Sequence, residues 1–175
     1  MNLKDHIRSI QDYPKKGILF RDITTLIKDE KAFTETIDQI VERSKKFKVD
    51  KIAAIESRGF VFASAVSYLL KKPFVLLRKK NKLPSDVHSV DFELEYGKAT
   101  IEVHKNSINQ NDTVLILDDL IATGGTALAS IELIHKLDAK VSGCTFIIDL
   151  PELGGRKKIE DKGIEVQSLC DFEGH

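Results

Sequence analysis

The sequence predicts an α/β fold with a mainly parallel sheet flanked by helices. Three observations carry this expectation. Short apolar runs alternate with segments of helical periodicity along most of the chain. The run Val114-Leu115-Ile116-Leu117 is apolar on both faces, as a strand buried within a parallel sheet must be. Behind it, Leu128, Ile131, Ile134 and Leu137 recur at helical spacing and give the following helix its buried stripe.

In chain order, Phe33, Ile37, Ile40, Val41 and Phe47 define an amphipathic helix. Ile52–Ile55 reads as a strand, followed by a helix from about Phe60 to Leu70. Phe74–Leu77 and Thr100–Val103 are the next strands. After the Val114 strand and its helix come Val141–Ile148 and a terminal strand near Glu165–Leu169. No repeat, low-complexity tract or linker divides the chain, so residues 1–175 are expected to form one domain with a substantial core. The interval from Arg78 to Gly97 breaks the rhythm. It is charged, sparse in apolar residues and long for a connection, which favours a lid over an exposed hairpin.

Composition narrows the class. With 42% hydrophobic and 31% charged residues the chain is globular, and its formal net charge of zero argues against nucleic-acid or anionic-membrane partners. No apolar run reaches the length of a membrane span, and Met1–Arg8 carries charges where a signal peptide needs an apolar core. Cys144 lies in an apolar run, and Cys170 has no required partner, which points to the reducing cytoplasm. The five histidines show no metal-ligand spacing with one another or with the cysteines.

The chemistry concentrates behind Val114–Leu117. Asp118 and Asp119 follow directly, and then the small residues Ala122, Thr123, Gly124, Gly125 and Thr126 lead into a helix. Such a turn brings backbone N–H groups to a helix N-terminus and favours phosphate, with the threonine hydroxyls adding hydrogen bonds. Two carboxylates would repel a phosphate, but they suit the vicinal hydroxyls of a ribose. Neither a Walker loop nor a dinucleotide fingerprint is present. The pattern describes a site for a phosphorylated ribose.

The stretch Val114–Thr126 resembles the phosphoribosyl-pyrophosphate signature of the type I phosphoribosyltransferases. Four further segments resemble the adenine phosphoribosyltransferase family. Glu56-Ser57-Arg58-Gly59 stands where that family keeps its pyrophosphate loop, which implies a non-proline cis peptide among Glu56, Ser57 and Arg58. Arg78-Lys79-Lys80-Asn81-Lys82-Leu83-Pro84 is similar to its Arg-Lys-x-Gly-Lys-Leu-Pro element, with Asn81 at a common glycine position. Tyr13–Ile23 is similar to its N-terminal hood, in which Leu19, Phe20 and Arg21 would cover the base. Glu93-Leu94-Glu95-Tyr96-Gly97 matches its lid motif, so Glu95 corresponds to the carboxylate that exchanges a proton with the purine and Tyr96 to a residue closing the site. Leu150 aligns with an apolar base contact, and Gly154-Gly155-Arg156-Lys157-Lys158 reads as a solvated basic turn.

The resemblance implies the type I phosphoribosyltransferase fold with a hood at about 1–28 and a lid at about 78–97. It also implies transfer of a phosphoribosyl group from 5-phosphoribosyl 1-pyrophosphate to adenine, giving AMP and pyrophosphate. Asp118, Asp119, Glu95 and Arg58 would carry catalysis. Ser57, Gly59, Arg78, Lys79 and Lys82 would bind substrate with the phosphate turn. Mg²⁺ is expected mainly on pyrophosphate and ribose oxygens, and a homodimer is expected. Transfer to another base, and a non-catalytic regulator that binds phosphoribosyl pyrophosphate, are the alternatives. A regulator of that kind would need a DNA-binding domain, for which the chain leaves no expected room.

Overall fold

A computed structural model of the chain describes residues 1–94 and 97–174. The N-terminal segment forms an antiparallel ribbon of β1 (Arg8–Gln11) and β2 (Leu19–Asp22), a sheet of its own. Helices α1 (Thr24–Ile27) and α2 (Glu30–Ser44) follow. Asp29 starts α2 by accepting the Ala32 N–H at 2.9 Å, a side-chain cap for an otherwise unpaired donor. Phe47 falls beyond the helix, and its ring fills the space over Gly143, where a Cβ would come within 2.7 Å of it.

The remaining elements are β3 (Lys51–Ile55), α3 (Arg58–Leu70), β4 (Phe74–Lys79), β5 (Val87–Leu94), β6 (Gly97–His104), β7 (Thr113–Ile121), α4 (Gly125–Lys136), β8 (Lys140–Asp149), α5 (Gly155–Glu160) and β9 (Val166–Asp171). They build a seven-stranded sheet in the order β5-β6-β4-β3-β7-β8-β9. Strands β4, β3, β7, β8 and β9 run parallel, and β6 and β5 extend the β4 edge antiparallel. Helices cover both faces. Alternate residues of β7 serve each: Val114 and Ile116 pack with Ile131 and Ile134 of α4, while Leu115 and Leu117 pack with Ile40 of α2 and Phe62 of α3.

Two further features depart from the sequence expectation. The interval Arg78–Gly97 contains β5, paired with β6 from Val87↔His104 to Leu94↔Gly97. Only one face of β5 meets the body, through buried Val90 and half-buried Phe92 beside α4. The polar residues between them lower its apolar content. The second departure concerns β7, which does not stop at Leu117. It stays paired with β8 through Ile121↔Asp149, whereas its pairing with β3 ends at Ala54↔Leu117. Asp118 and Asp119 are thus held by one neighbouring strand and open on the other flank.

The outer edge of β9 is closed by arginines. Arg43 donates to the Ser168 carbonyl at 2.7 Å, and Arg156 donates to the Val166 carbonyl at 3.0 Å. Occupied carbonyls of this kind discourage pairing with another chain.

Candidate active site

The site lies beyond the carboxyl ends of β3, β4 and β7, where open parallel sheets place their ligands. On the β3 side the Glu56–Ser57 peptide is cis, at the position the resemblance implies. Arg58 opens α3, and its Nε donates to Asp119 Oδ2 at 2.5 Å. Gly59 brings the helix against β7. A Cβ there would lie 3.0 Å from both Asp118 Oδ1 and the Leu117 carbonyl oxygen.

Asp119 is 4% exposed, and its N–H donates to Asp118 Oδ1 at 2.8 Å. Burial, followed by the charge of Asp119, raises the Asp118 carboxyl well above the ordinary carboxylate range, while the Asp119 N–H and Arg58 act against the rise. Burial works to lower the Arg58 pKa, but the charge and hydrogen bond of Asp119, with Asp118 and Asp22 behind, raise it on balance. The three groups are joined by hydrogen bonds through Asp119.

Ala122, Thr123 and Gly124 connect β7 to α4, with Gly124 in the left-handed region at φ +86°. Among the described residues no side chain caps the N-terminus of α4, so its first N–H groups face the cleft available to an anion. The loop is supported from behind by α5. Gly155 donates its N–H to the Ala122 carbonyl at 3.0 Å, and Lys158 donates to the Thr123 carbonyl at 3.2 Å. The segment Gly154–Lys158 is therefore more than the solvated basic turn that its composition suggests. Arg156 within it also engages Glu160 at 2.9 Å and Asp149 at 3.5 Å.

The β4 side is fixed by Glu56. Its carboxylate accepts Arg78 Nε at 2.9 Å and the Lys79 N–H at 3.1 Å. Asn81 adopts φ +65°, the left-handed conformation expected where relatives of the motif carry glycine.

These elements enclose a cleft of about 280 Å³. It is lined by the expected Arg58, Lys79, Asp118, Asp119, Ala122, Thr123, Gly124, Gly125 and Thr126. Sequence reasoning put Glu56 in the segment matched to the pyrophosphate loop without giving its side chain a task, and did not anticipate Leu94, Leu120, Ile121 and Phe146 as lining. Glu56 could have been found from its place directly after β3. Phe146 could not, because it reaches the cleft from β8 through tertiary packing.

The other expected residues stand around this centre. Ser57 precedes α3, and Lys82 lies beyond Arg78, giving its N–H to the Lys79 carbonyl at 3.3 Å. Leu150 is buried after β8, and its N–H donates to the Ile121 carbonyl at 3.0 Å. Leu19 and Phe20 are half-buried. The Phe20 ring meets Tyr13 edge-on at 5.1 Å, and its centre lies 6.0 Å from the Arg58 guanidinium carbon. None of Leu19, Phe20 and Arg21 is among the residues lining the cleft, and the Arg21 side chain turns to the C-terminal segment. It donates to Ser9 Oγ at 2.5 Å and to the Glu173 and Gly174 carbonyls at 3.0 and 3.3 Å, with Phe172 under the guanidinium at 4.4 Å. Glu95 and Tyr96 lie outside the described residues.

A carboxylate pair followed by an uncapped helix start, on this sheet, defines a phosphoribosyltransferase, and the phosphoribosyl transferase domain model matches residues 23–173. The chain is 69% identical to the adenine phosphoribosyltransferase of Pelagibacter ubique (strain HTCC1062), with 100% of each chain covered. It is similar to the crystal structure of adenine phosphoribosyltransferase from Thermoanaerobacter pseudethanolicus, with a TM-score of 0.93, 44% identity, and 97% of this chain and 98% of that one covered. It is also similar to the Saccharomyces cerevisiae adenine phosphoribosyltransferase complexed with an imino-altritol bisphosphate and adenine, with a TM-score of 0.88, 35% identity and 96% of each chain covered. The chain belongs to the adenine phosphoribosyltransferase family.

Proposed function

We propose that this chain transfers the 5-phosphoribosyl group from 5-phosphoribosyl 1-pyrophosphate to adenine, giving AMP and pyrophosphate, as a step of purine salvage. The observation that carries this reading is the junction of Asp118 and Asp119 with the uncapped start of α4 in one cleft. The 5′-phosphate sits on the Ala122–Thr126 backbone and hydroxyls. The ribose hydroxyls are held by the carboxylate pair. Arg58 and Lys79 face the pyrophosphate.

As the C1′–oxygen bond to pyrophosphate lengthens, positive charge grows on the ribose ring. The preorganised carboxylates favour that charge without reorienting. Adenine N9 attacks the opposite face of C1′. Phe20 and Leu19 cover the base, and Glu95 exchanges the proton on it, a role that rests on the lid-motif resemblance. The hairpin of β5 and β6 brings Leu94 to the cleft and acts as the lid that excludes water.

Mg²⁺ fits this donor set. A cation that retains water and takes substrate phosphates needs only one or two protein carboxylates. Among the described residues no group of three or more His, Cys, Asp or Glu side chains could cage a metal, and the cleft offers Asp118 and Asp119. When bound, the ion neutralises part of the pyrophosphate charge.

The chain works as a homodimer in the cytoplasm. Val61, Tyr68 and Leu69 on α3 and Leu76 on β4 are exposed, Tyr68 at 82%, and support a face for a second copy. Both cysteines are free, which supports a reducing compartment, and burial pushes the Cys144 thiol up to about 12. Among the described residues no helix is long and apolar enough to cross a membrane.

The test is chromatographic product formation from phosphoribosyl pyrophosphate, Mg²⁺ and each candidate base in turn. AMP from adenine alone is the expected result. Nucleotide from another base overturns the base assignment while keeping the sugar site. Binding of phosphoribosyl pyrophosphate without product from any base would make the chain a sensor.

A further inference from the structure

The ribbon of β1 and β2 is a sheet of its own among the described residues, and two strands alone are marginally stable in water. Its position must come from other contacts. Arg21 supplies one at each end of its guanidinium. Toward the ribbon it bonds Ser9, its cross-strand partner. Toward the body it bonds the carbonyls of Glu173 and Gly174 and lies over the Phe172 ring. The tail is itself anchored, because Phe172 donates its N–H to the Asp149 carbonyl at 2.9 Å at the end of β8. Lys4 adds a second cation over the same ring at 5.3 Å.

Successive side chains on a strand point to opposite faces. Arg21 on one face of β2 holds the tail, and its neighbour Phe20 on the other lies beside Arg58. A rotation of β2 that loosens Arg21 from the tail therefore moves Phe20 over the base site. We propose that Phe172–Gly174 is a strap that sets the tilt of β2 and thereby the affinity for the base, with Phe172 as a positioning residue. This rests on the reading that Phe20 covers adenine. The strap touches neither the sugar nor the pyrophosphate part of the cleft, so its effect falls on one substrate.

Steady-state kinetics of the full chain with Phe172→Leu and Phe172→Tyr tests the strap. Leucine keeps apolar bulk and removes the π face, whereas tyrosine keeps both. Phe172→Leu should raise the KM for adenine roughly three- to tenfold, with kcat and the KM for phosphoribosyl pyrophosphate altered less than about twofold. Phe172→Tyr should restore the parental adenine KM. An unchanged adenine KM in Phe172→Leu overturns the strap. So does a parallel rise in both KM values with a lowered unfolding midpoint, which marks general loosening. Should the parent protein use a different base, the comparison is made with that base, so a wrong base assignment and a wrong strap give separate results.

Discussion

A Cβ placed on Gly155 would lie 2.7 Å from the amide nitrogen of Gly124, and one placed on Gly124 would lie 2.9 Å from the Gly155 Cα. The Ala122–Gly124 loop, to which the 5′-phosphate is assigned above, and the first residue of α5 thus meet backbone to backbone. Gly124 also holds a left-handed φ, so its lack of a side chain serves both conformation and contact.

Gly155→Ala should displace the Ala122–Gly124 loop. Forcing a methyl group into a filled contact costs about 1–3 kcal/mol, so the KM for phosphoribosyl pyrophosphate should rise roughly tenfold. The adenine KM should stay close to parental. Varying each substrate separately checks this, and an unaltered pyrophosphate-substrate KM would refute the supporting role of α5.

Arg58→Lys keeps the charge but loses the planar fork that bonds Asp119 through Nε while leaving other N–H groups for a ligand. A roughly hundredfold loss in kcat/KM is expected, about 2.7 kcal/mol of transition-state stabilisation. Circular dichroism should show an unchanged fold. A variant retaining half the parental kcat/KM would remove Arg58 from the reacting centre.

Asp118 gives a pH-dependent prediction for the protein without ligand. Its carboxyl is raised in the folded state, first by burial and then by Asp119. A raised folded pKa means the folded state binds the extra proton, so this contribution to stability is complete below the unfolded pKa and is lost as pH rises through the folded one. Asp118→Asn carries no such loss. Its unfolding midpoint should exceed the parent's near neutral pH, and the difference should shrink as pH falls into the ordinary carboxylate range. A difference that stays constant across that window would contradict the raised pKa.

Glu56→Ala removes the acceptor for both Arg78 and the Lys79 N–H. The Glu56 side chain is only 8% exposed, but Arg78 is 31% exposed, so solvent moderates the cost to about 1–2 kcal/mol. Urea unfolding should show this loss, accompanied by weaker use of phosphoribosyl pyrophosphate as Lys79 loses its fixed backbone. Full stability with parental kinetics would show that Glu56 merely borders the cleft.

The cleft residues assigned to the sugar were legible because they are contiguous. Asp118 through Thr126 follow one another in the chain, and a buried strand before them and a helix behind them fix their direction. Arg58 was legible for a similar reason, since it stands between a strand and a helix. The walls were not. Leu94 comes from β5 and Phe146 from β8, and no local pattern tells which residues of distant elements will converge. Arg21 was placed in the right element, but its side-chain direction depends on a tail 152 residues later. The β5 strand was hidden because half of its side chains face solvent.

The division into two sheets separates two kinds of recognition. On the assignment proposed above, sugar and phosphate groups fall to the central strands, with β7 paired to β8, and the base falls to a ribbon with a ladder of its own. Changes in the ribbon can alter which ring is accepted without disturbing the chemistry at C1′. On that assignment the architecture is modular, with the chemistry at C1′ on the large sheet and the choice of acceptor on the small one.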